Sequence, residues 1–226
     1  MKTLKITMLA SLSLILVNCK KNNTKTITSE TTASEMIGEE IELDPNDEFT
    51  YQYEIDTQSS AITWKGFKPT GSHSGTISMN KGTFDLSSTN GLSGTFVIDM
   101  NSIKVTDIPS DDEKNGQLLG HLKSADFFDV QKNPLATFKI TKMSTSAEGQ
   151  KIMLGNLSLN GVTNSIEIPI TTTEQGDALA ISSTTFTIDR SKWNIKYGSK
   201  SFFDNLGDKF ISNDIELKFR IVATRL

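Results

Sequence analysis

Gln117 to Ile140, QLLGHLKSADFFDVQKNPLATFKI, decides how the rest of the chain is read. Leu118, Leu119 and Leu122 recur at helical spacing. Asp111, Asp112 and Glu113 precede them, as a helix N-terminus favours. Ser124-Ala125-Asp126 ends the helix and leads into the pair Phe127-Phe128. Pro134 biases Asn133 away from the helical region, so the chain restarts extended. Leu135 to Thr141 then alternates as a strand does. One short helix and two adjacent aromatics, set among strands, predict a plug or lid over one end of a β-structure. Read more plainly, the same helix simply closes a core.

Working outward from this stretch, strands dominate. Phe49 to Ile55 alternates, Ser60 to Phe67 carries Ile62, Trp64 and Gly66, and Pro69 to Gly75 reads as a turn-rich link to Thr76–Leu86. Asn90-Gly91 predicts a tight turn before Gly94–Ile103, where Phe96, Ile98 and Met100 share a face. Beyond the helix come Leu135–Ser144, Lys151–Leu159, Ser165–Thr172 and Ala178–Asp189, punctuated by Gly149, Asn160-Gly161 and Gly176-Asp177. The last strand sets Ile215, Leu217, Phe219 and Ile221 against Asp214, Glu216, Lys218 and Arg220, the pattern of a half-buried antiparallel strand. Eight or nine strands with short links must split into a sandwich or close on themselves, and closure also removes the edges. A closed barrel of about eight strands is either filled by side chains or holds one small ligand. Gly94, Gly155, Ser182 and Thr184, read as inward-facing, incline the reading towards a cavity.

Residues 1–18 stand apart. Lys2 and Lys5 precede an apolar run, Ile6 to Val17, too short to span a bilayer and of the form of an export signal. The run meets the chain's one cysteine, Cys19, which reads as a lipoprotein acceptor, although Asn18 stands where that motif has a small residue. With a single cysteine an internal disulfide is impossible. Residues 19–48 are polar and poor in apolar side chains, the composition of a flexible tether, and residues 49–226 form the domain. The expected address is therefore export, with a membrane anchor facing the periplasm. Without the first 18 residues the chain carries 21 basic and 27 acidic side chains, net −6. With no basic stripe, nucleic acid is an unsuitable partner. An acidic barrel with an edge strand is compatible with a homodimer.

Catalytic chemistry finds little support. Two histidines, His73 and His121, and one cysteine cannot assemble a zinc site without carboxylates, and HExxH and CxxC spacings are absent. There is no Gly-x-Ser-x-Gly elbow and no glycine-rich phosphate loop. His73 reads as a hydrogen-bonding loop residue, and His121 as partly buried and capped by backbone. The aromatic and aliphatic side chains are the better lead, although the sequence alone does not divide those that pack a core from those that line a tunnel.

The order of motifs resembles the YceI-like family. The resemblance rests on Ile62-Thr-Trp64-Lys-Gly66, Gly71-Ser-His73-Ser-Gly75 and Gly94 to Ile103. It continues through Leu122 to Val130, Pro134 to Phe138, Leu157 to Thr163 and Ile188 to Ile195, and ends with the Ile211–Ala223 strand. It implies an all-β, extended antiparallel lipocalin-like barrel whose apolar pocket takes a polyisoprenoid or other long-chain amphiphile. An isoprenoid quinone or polyprenyl lipid would be the ligand, and no cofactor or metal is expected. On this resemblance Phe96, Ile98 and Met100 form one wall and Phe138, Leu157 and Leu159 another. Phe127 and Phe128 sit near the plug, and Phe186 or Trp193 near a mouth. His73 or Arg190 meets a polar head group, although for Arg190 a salt bridge that pins the Asp189–Trp193 turn is the favoured reading. The implied role is a carrier or store without turnover; the second reading is an envelope interaction protein with a packed barrel.

Overall fold

The computed structural model describes residues 48–226. The expected signal segment, Cys19 and nearly all of the expected tether lie outside the described residues. In chain order the strands are β1 (Thr50–Ile55), β2 (Ala61–Lys68), β3 (Gly71–Ser87), β4 (Gly91–Asp99) and β5 (Lys104–Val105), then β6 (Leu135–Thr145) and β7 (Lys151–Leu159). They continue with β8 (Val162–Gln175), β9 (Ala178–Ser183), β10 (Phe186–Asp189) and β11 (Asp214–Arg225); helix α1 (Glu113–Lys123) lies between β5 and β6. Every ladder is antiparallel, and β11 closes the ring by pairing with β2 on one side and β9 on the other. Among the described residues no helix is long and apolar enough to cross a membrane.

Eleven strands fit eight positions around the ring because three positions are each filled by two consecutive strands. β1 and β2 both lie between β3 and β11, broken by a turn in which Asp56 Oδ1 accepts the N–H groups of Gln58 and Ser59. β4 and β5 both run along β3, broken by a 3-10 turn over Met100–Ser102 that Asp99 caps by accepting the Asn101 N–H. β9 and β10 both run along β11. Thus Gly94–Ile103 and Ala178–Asp189, each expected as one strand, are interrupted, the first by that 3-10 turn and the second at Thr184-Thr185, between β9 and β10. The expected turn over Pro69–Gly75 shrinks to Pro69-Thr70, because Gly71 to Ser78 pairs residue for residue with Lys68 to Ala61. Gly75 allows this: a Cβ there would overlap the Lys104 carbonyl of β5, while the Trp64 indole N–H donates to that same oxygen at 3.2 Å.

At Asn160-Gly161 both residues take positive φ, 49° and 74°, as a two-residue hairpin between β7 and β8 requires. β9 pairs with the second half of β8 only, and the last backbone bond runs from the Thr184 N–H to the Pro169 carbonyl. Beyond it, no ladder among the described residues joins β10 to β8. Amide side chains hold that seam, Asn164 donating to the Lys192 carbonyl at 2.9 Å and Asn160 to the Trp193 carbonyl at 3.2 Å.

The helix is capped as its sequence implies, Asp112 accepting the Lys114 N–H at 2.8 Å. Buried Asn115 ties it to the preceding loop by donating to the carbonyls of Val105 and Ile108. At its far end Leu122, Phe127 and Phe128 turn into the barrel. Away from the helix Tyr53 stacks on Phe84 at 5.0 Å and Phe84 lies edge-on to Phe96 at 5.9 Å, and beyond these rings a hollow of about 250 Å³ lies among Leu86, Leu92, Met143 and Leu179.

Candidate functional site

Two neighbouring cavities occupy the barrel interior. The larger, about 100 Å³, lies beneath the helix end and is walled by inward side chains of successive strands. These are Ile62 and Trp64 of β2, Ile98 of β4, Ala136 of β6, Leu157 and Leu159 of β7, Ile188 of β10, and Ile215 and Leu217 of β11. Leu122, Phe127, Phe128, Met100 and Ile103 roof it. The second, about 60 Å³, lies deeper, among Met79, Phe96, Phe138, Met153, Ile166, Phe186 and Phe219. Ile62, Ile98, Leu157 and Leu217 border both, forming a waist between them. Strand alternation explains the arrangement: residues two apart on β11 (Ile215, Leu217, Phe219, Ile221) line the two cavities in order.

The residues expected as walls separate into groups. Ile98, Met100, Phe127, Phe128, Leu157 and Leu159 border the larger cavity; Phe96, Ile98, Phe138, Leu157 and Phe186 border the smaller. Phe186 stands in the mid-barrel wall, edge-on to Phe219 at 6.3 Å, beside the seam between β8 and β10 rather than at the helix end. Trp193 borders neither cavity. It is 1% exposed and packs behind the wall, its indole N–H donating to the Leu157 carbonyl at 2.9 Å.

Arg190 is fully buried at the edge of the larger cavity, and its donors are all directed to backbone. Nε donates to the Ser212 carbonyl, Nη1 to Ile195, and Nη2 to Tyr197 and Ile211, at 2.7 to 3.0 Å. Its guanidinium also faces the Phe127 ring at 5.2 Å. Burial pushes it down to about 10, with Asp189 opposing, so at neutral pH it stays charged. It pins both ends of the loop over 196–211. Arg190 thus pins the 196–211 loop through backbone carbonyls and not, as expected, the Asp189–Trp193 turn through a salt bridge; a ligand head group would have to displace those carbonyls to reach it.

His73 lies on β3, not in a turn, with Nδ1 2.8 Å from Asp107 Oδ2. Partial burial pushes the Asp107 carboxyl up, but hydrogen bonds from the Ser74 N–H and from His73 outweigh it and hold the group below the usual carboxylate range. His121 differs from expectation: Ser124 N–H and hydroxyl both donate to its backbone carbonyl, yet its ring Nε2 is buried with no partner. Sequence reading did not place Ile62, Trp64, Ile188, Ile215, Leu217 or Leu122 at the site. The alternation of β11 and the helical spacing of Leu122 carried the signal, whereas nothing local distinguishes His121.

Two inward-facing glycines have a different meaning from that expected. At Gly155 a Cβ would overlap the Phe138 ring, and at Gly94 one would overlap Phe84. Position 155 is small because a neighbouring ring already fills the space, and position 94 because the Thr83-Phe84 segment of β3 does; neither leaves a void. Ser182 and Thr184 do not face inward: Ser182 is half-buried between buried Ile181 and Ser183, and Thr184 is exposed.

A model of the YceI-like domain family matches residues 53–223. Over 94 residues the chain is 37% identical to a UPF0312 protein of Pseudomonas aeruginosa, a match covering 39% of this chain and 49% of that protein. Over 85 residues it is 36% identical to a UPF0312 protein of Vibrio vulnificus, covering 35% and 45%. The chain thus spans about half the length of the curated relatives it matches. The crystal structure of Burkholderia cenocepacia BcnA superposes with a TM-score of 0.58 at 19% identity, covering 75% of this chain and 99% of that one. A polyisoprenoid binding domain from Saccharophagus degradans superposes with a TM-score of 0.55 at 15% identity, covering 77% and 98%. At these identities the two structures establish a shared fold. With the family match running from Tyr53 in β1 to Ala223 in β11, the length of the barrel, the chain belongs to the YceI-like domain family.

Proposed function

We propose that the chain binds a long-chain amphiphile of the polyisoprenoid class, the tail inside the barrel, as a carrier or store without turnover at the bacterial cell envelope. The observation that carries this reading is the chemistry of the interior. Two adjoining cavities are walled almost wholly by carbon, and the polar exceptions, Arg190 and Ser212, are already joined to each other by a hydrogen bond. An apolar cavity of roughly 150 Å³ stays dry and accepts an apolar ligand, so voids of about 100 and 60 Å³ suit segments of a hydrocarbon chain. A longer tail needs more room. Met100 at the larger cavity and Met79 and Met153 at the smaller are flexible fillers that can change rotamer to make it. Each methylene transferred from water contributes about 0.8 kcal/mol, so the tail supplies affinity with few polar contacts. The polyisoprenoid-binding description of the Saccharophagus degradans neighbour supports the same reading. The envelope address rests on residues 1–18 and on Cys19 as a lipid-bearing anchor, both outside the described residues.

Ala136→Leu tests the binding reading. Ala136 is 2% exposed on the wall of the larger cavity, and three more carbons there fill the void from within. If the cavity is a binding site, filling it trades affinity for packing. The variant is expected to melt at or above the wild-type temperature, since filling a void commonly adds about 0.5–2 kcal/mol. It should bind a geranylgeranyl-tailed probe at least about tenfold more weakly by calorimetry. A variant as stable as the wild type with undiminished affinity contradicts the reading.

A further inference from the structure

Beside the helix the larger cavity adjoins a vestibule of about 180 Å³, with Trp64, Gly66, Leu122, Phe127 and Ile211 bordering both. The vestibule is amphipathic where the cavity is apolar: Lys68, Ser72, His73 and His121 also line it. Its polar groups are unequally committed. His73 is held by Asp107, and at the adjoining edge of the cavity the Arg190 guanidinium is spent on four carbonyls. His121 Nε2, in contrast, is buried without a hydrogen-bond partner, the one such side-chain atom among the described residues. Its ring is wedged edge-on between Tyr197 at 4.5 Å and Phe127 at 5.8 Å, so it cannot turn outward without losing both contacts. A buried polar atom left unpaired costs free energy that a partner would recover.

We propose that His121 Nε2–H is the head-group donor of the lipid site, hydrogen-bonding an oxygen of a ligand whose tail runs past Phe127 into the barrel. This rests on the lipid-binding reading above and adds its polar end. The shared ligand chemistry is a polyprenyl tail bearing an oxygen acceptor, which is a carbonyl in a quinone and a phosphoryl oxygen in a polyprenyl phosphate. Lys68, exposed and without an ion partner among the described residues, adds a cation at the same opening.

Calorimetry on the purified full chain, with three probes of one tail, tests this. The probes are a geranylgeranyl benzoquinone, geranylgeranyl monophosphate and the corresponding hydrocarbon without a head. His121→Phe keeps a ring between Tyr197 and Phe127 but removes the nitrogen. It is expected to weaken one or both headed probes by about tenfold while leaving the hydrocarbon unchanged, and which headed probe responds identifies the source of the oxygen. His121→Gln, which retains a donor, is expected to recover most of that loss. Because the chain has only two histidines, ¹⁵N spectra of the wild type give a readout independent of any variant's folding: the His121 imidazole resonance should move with a headed probe and not with the hydrocarbon. Equal weakening of all three probes, or no shift on headed binding, overturns the assignment while the lipid reading stands. If none of the three binds the wild type, both fall.

Discussion

At residue scale, position 155 shows how tightly the interior is specified. Gly155 sits on β7 where the Phe138 ring of β6 lies across it, so one added carbon has nowhere to go. Gly155→Ala is expected to lose about 2 kcal/mol, the cost of overpacking, despite the better strand propensity of alanine. Denaturant unfolding measures it; a neutral or stabilising effect would mean that the ring moves freely. This glycine also shows a limit of sequence reading. A small residue on an inward face is the same letter whether it borders a void or supports a ring, and only the register between β6 and β7 distinguishes them. His121 was opaque for a related reason. Its neighbours Phe127 and Tyr197 come from the segment after the helix and from a loop far along the chain, and no spacing brings that loop to it. The apolar wall residues were more legible, because alternation in β4, β6, β7 and β11 needs no knowledge of the partner strand.

At the scale of elements, Arg190 holds the loop over 196–211 against the barrel by four bonds to carbonyls at the loop's two ends. Replacing it by Leu keeps the bulk and leaves those oxygens buried without donors. Arg190→Leu is expected to cost about 3–5 kcal/mol, comparable to breaking a buried charged network from one side. Amide exchange should accelerate most from Lys196 to Ser212. If exchange rises evenly through the barrel, Arg190 supports the whole fold and not this loop. The helix and most strands were legible from capping residues, proline and alternation. The strand breaks after β4 and β9 were not. They depend on Asp99 bonding its own backbone in the first case and on where the ladder to β8 stops in the second, and the hydrophobic pattern continues through them.

At the scale of the whole molecule, a stack of aromatic rings lies across the barrel beneath two apolar cavities, and a vestibule opens beside the helix on their other side. That order (aromatic plug, apolar cavities, amphipathic vestibule) matches the order of groups along an amphiphile. Strand count and turn signals left a sandwich or a closed barrel, and the resemblance to the YceI-like family chose the barrel; the helix was legible from the Gln117–Ile140 stretch. The size of the hollow was not, because it is the small difference between the volume the ring encloses and the volume its side chains fill. Under the lipid-binding proposal, this hollow is kept for a lipid tail. Native mass spectrometry of the chain purified from its host without added lipid, followed by organic extraction, tests it most directly. A discrete adduct on the folded protein that releases a long isoprenoid or acyl chain is expected. A clean apo mass that stays apo after incubation with quinones and polyprenols would contradict it.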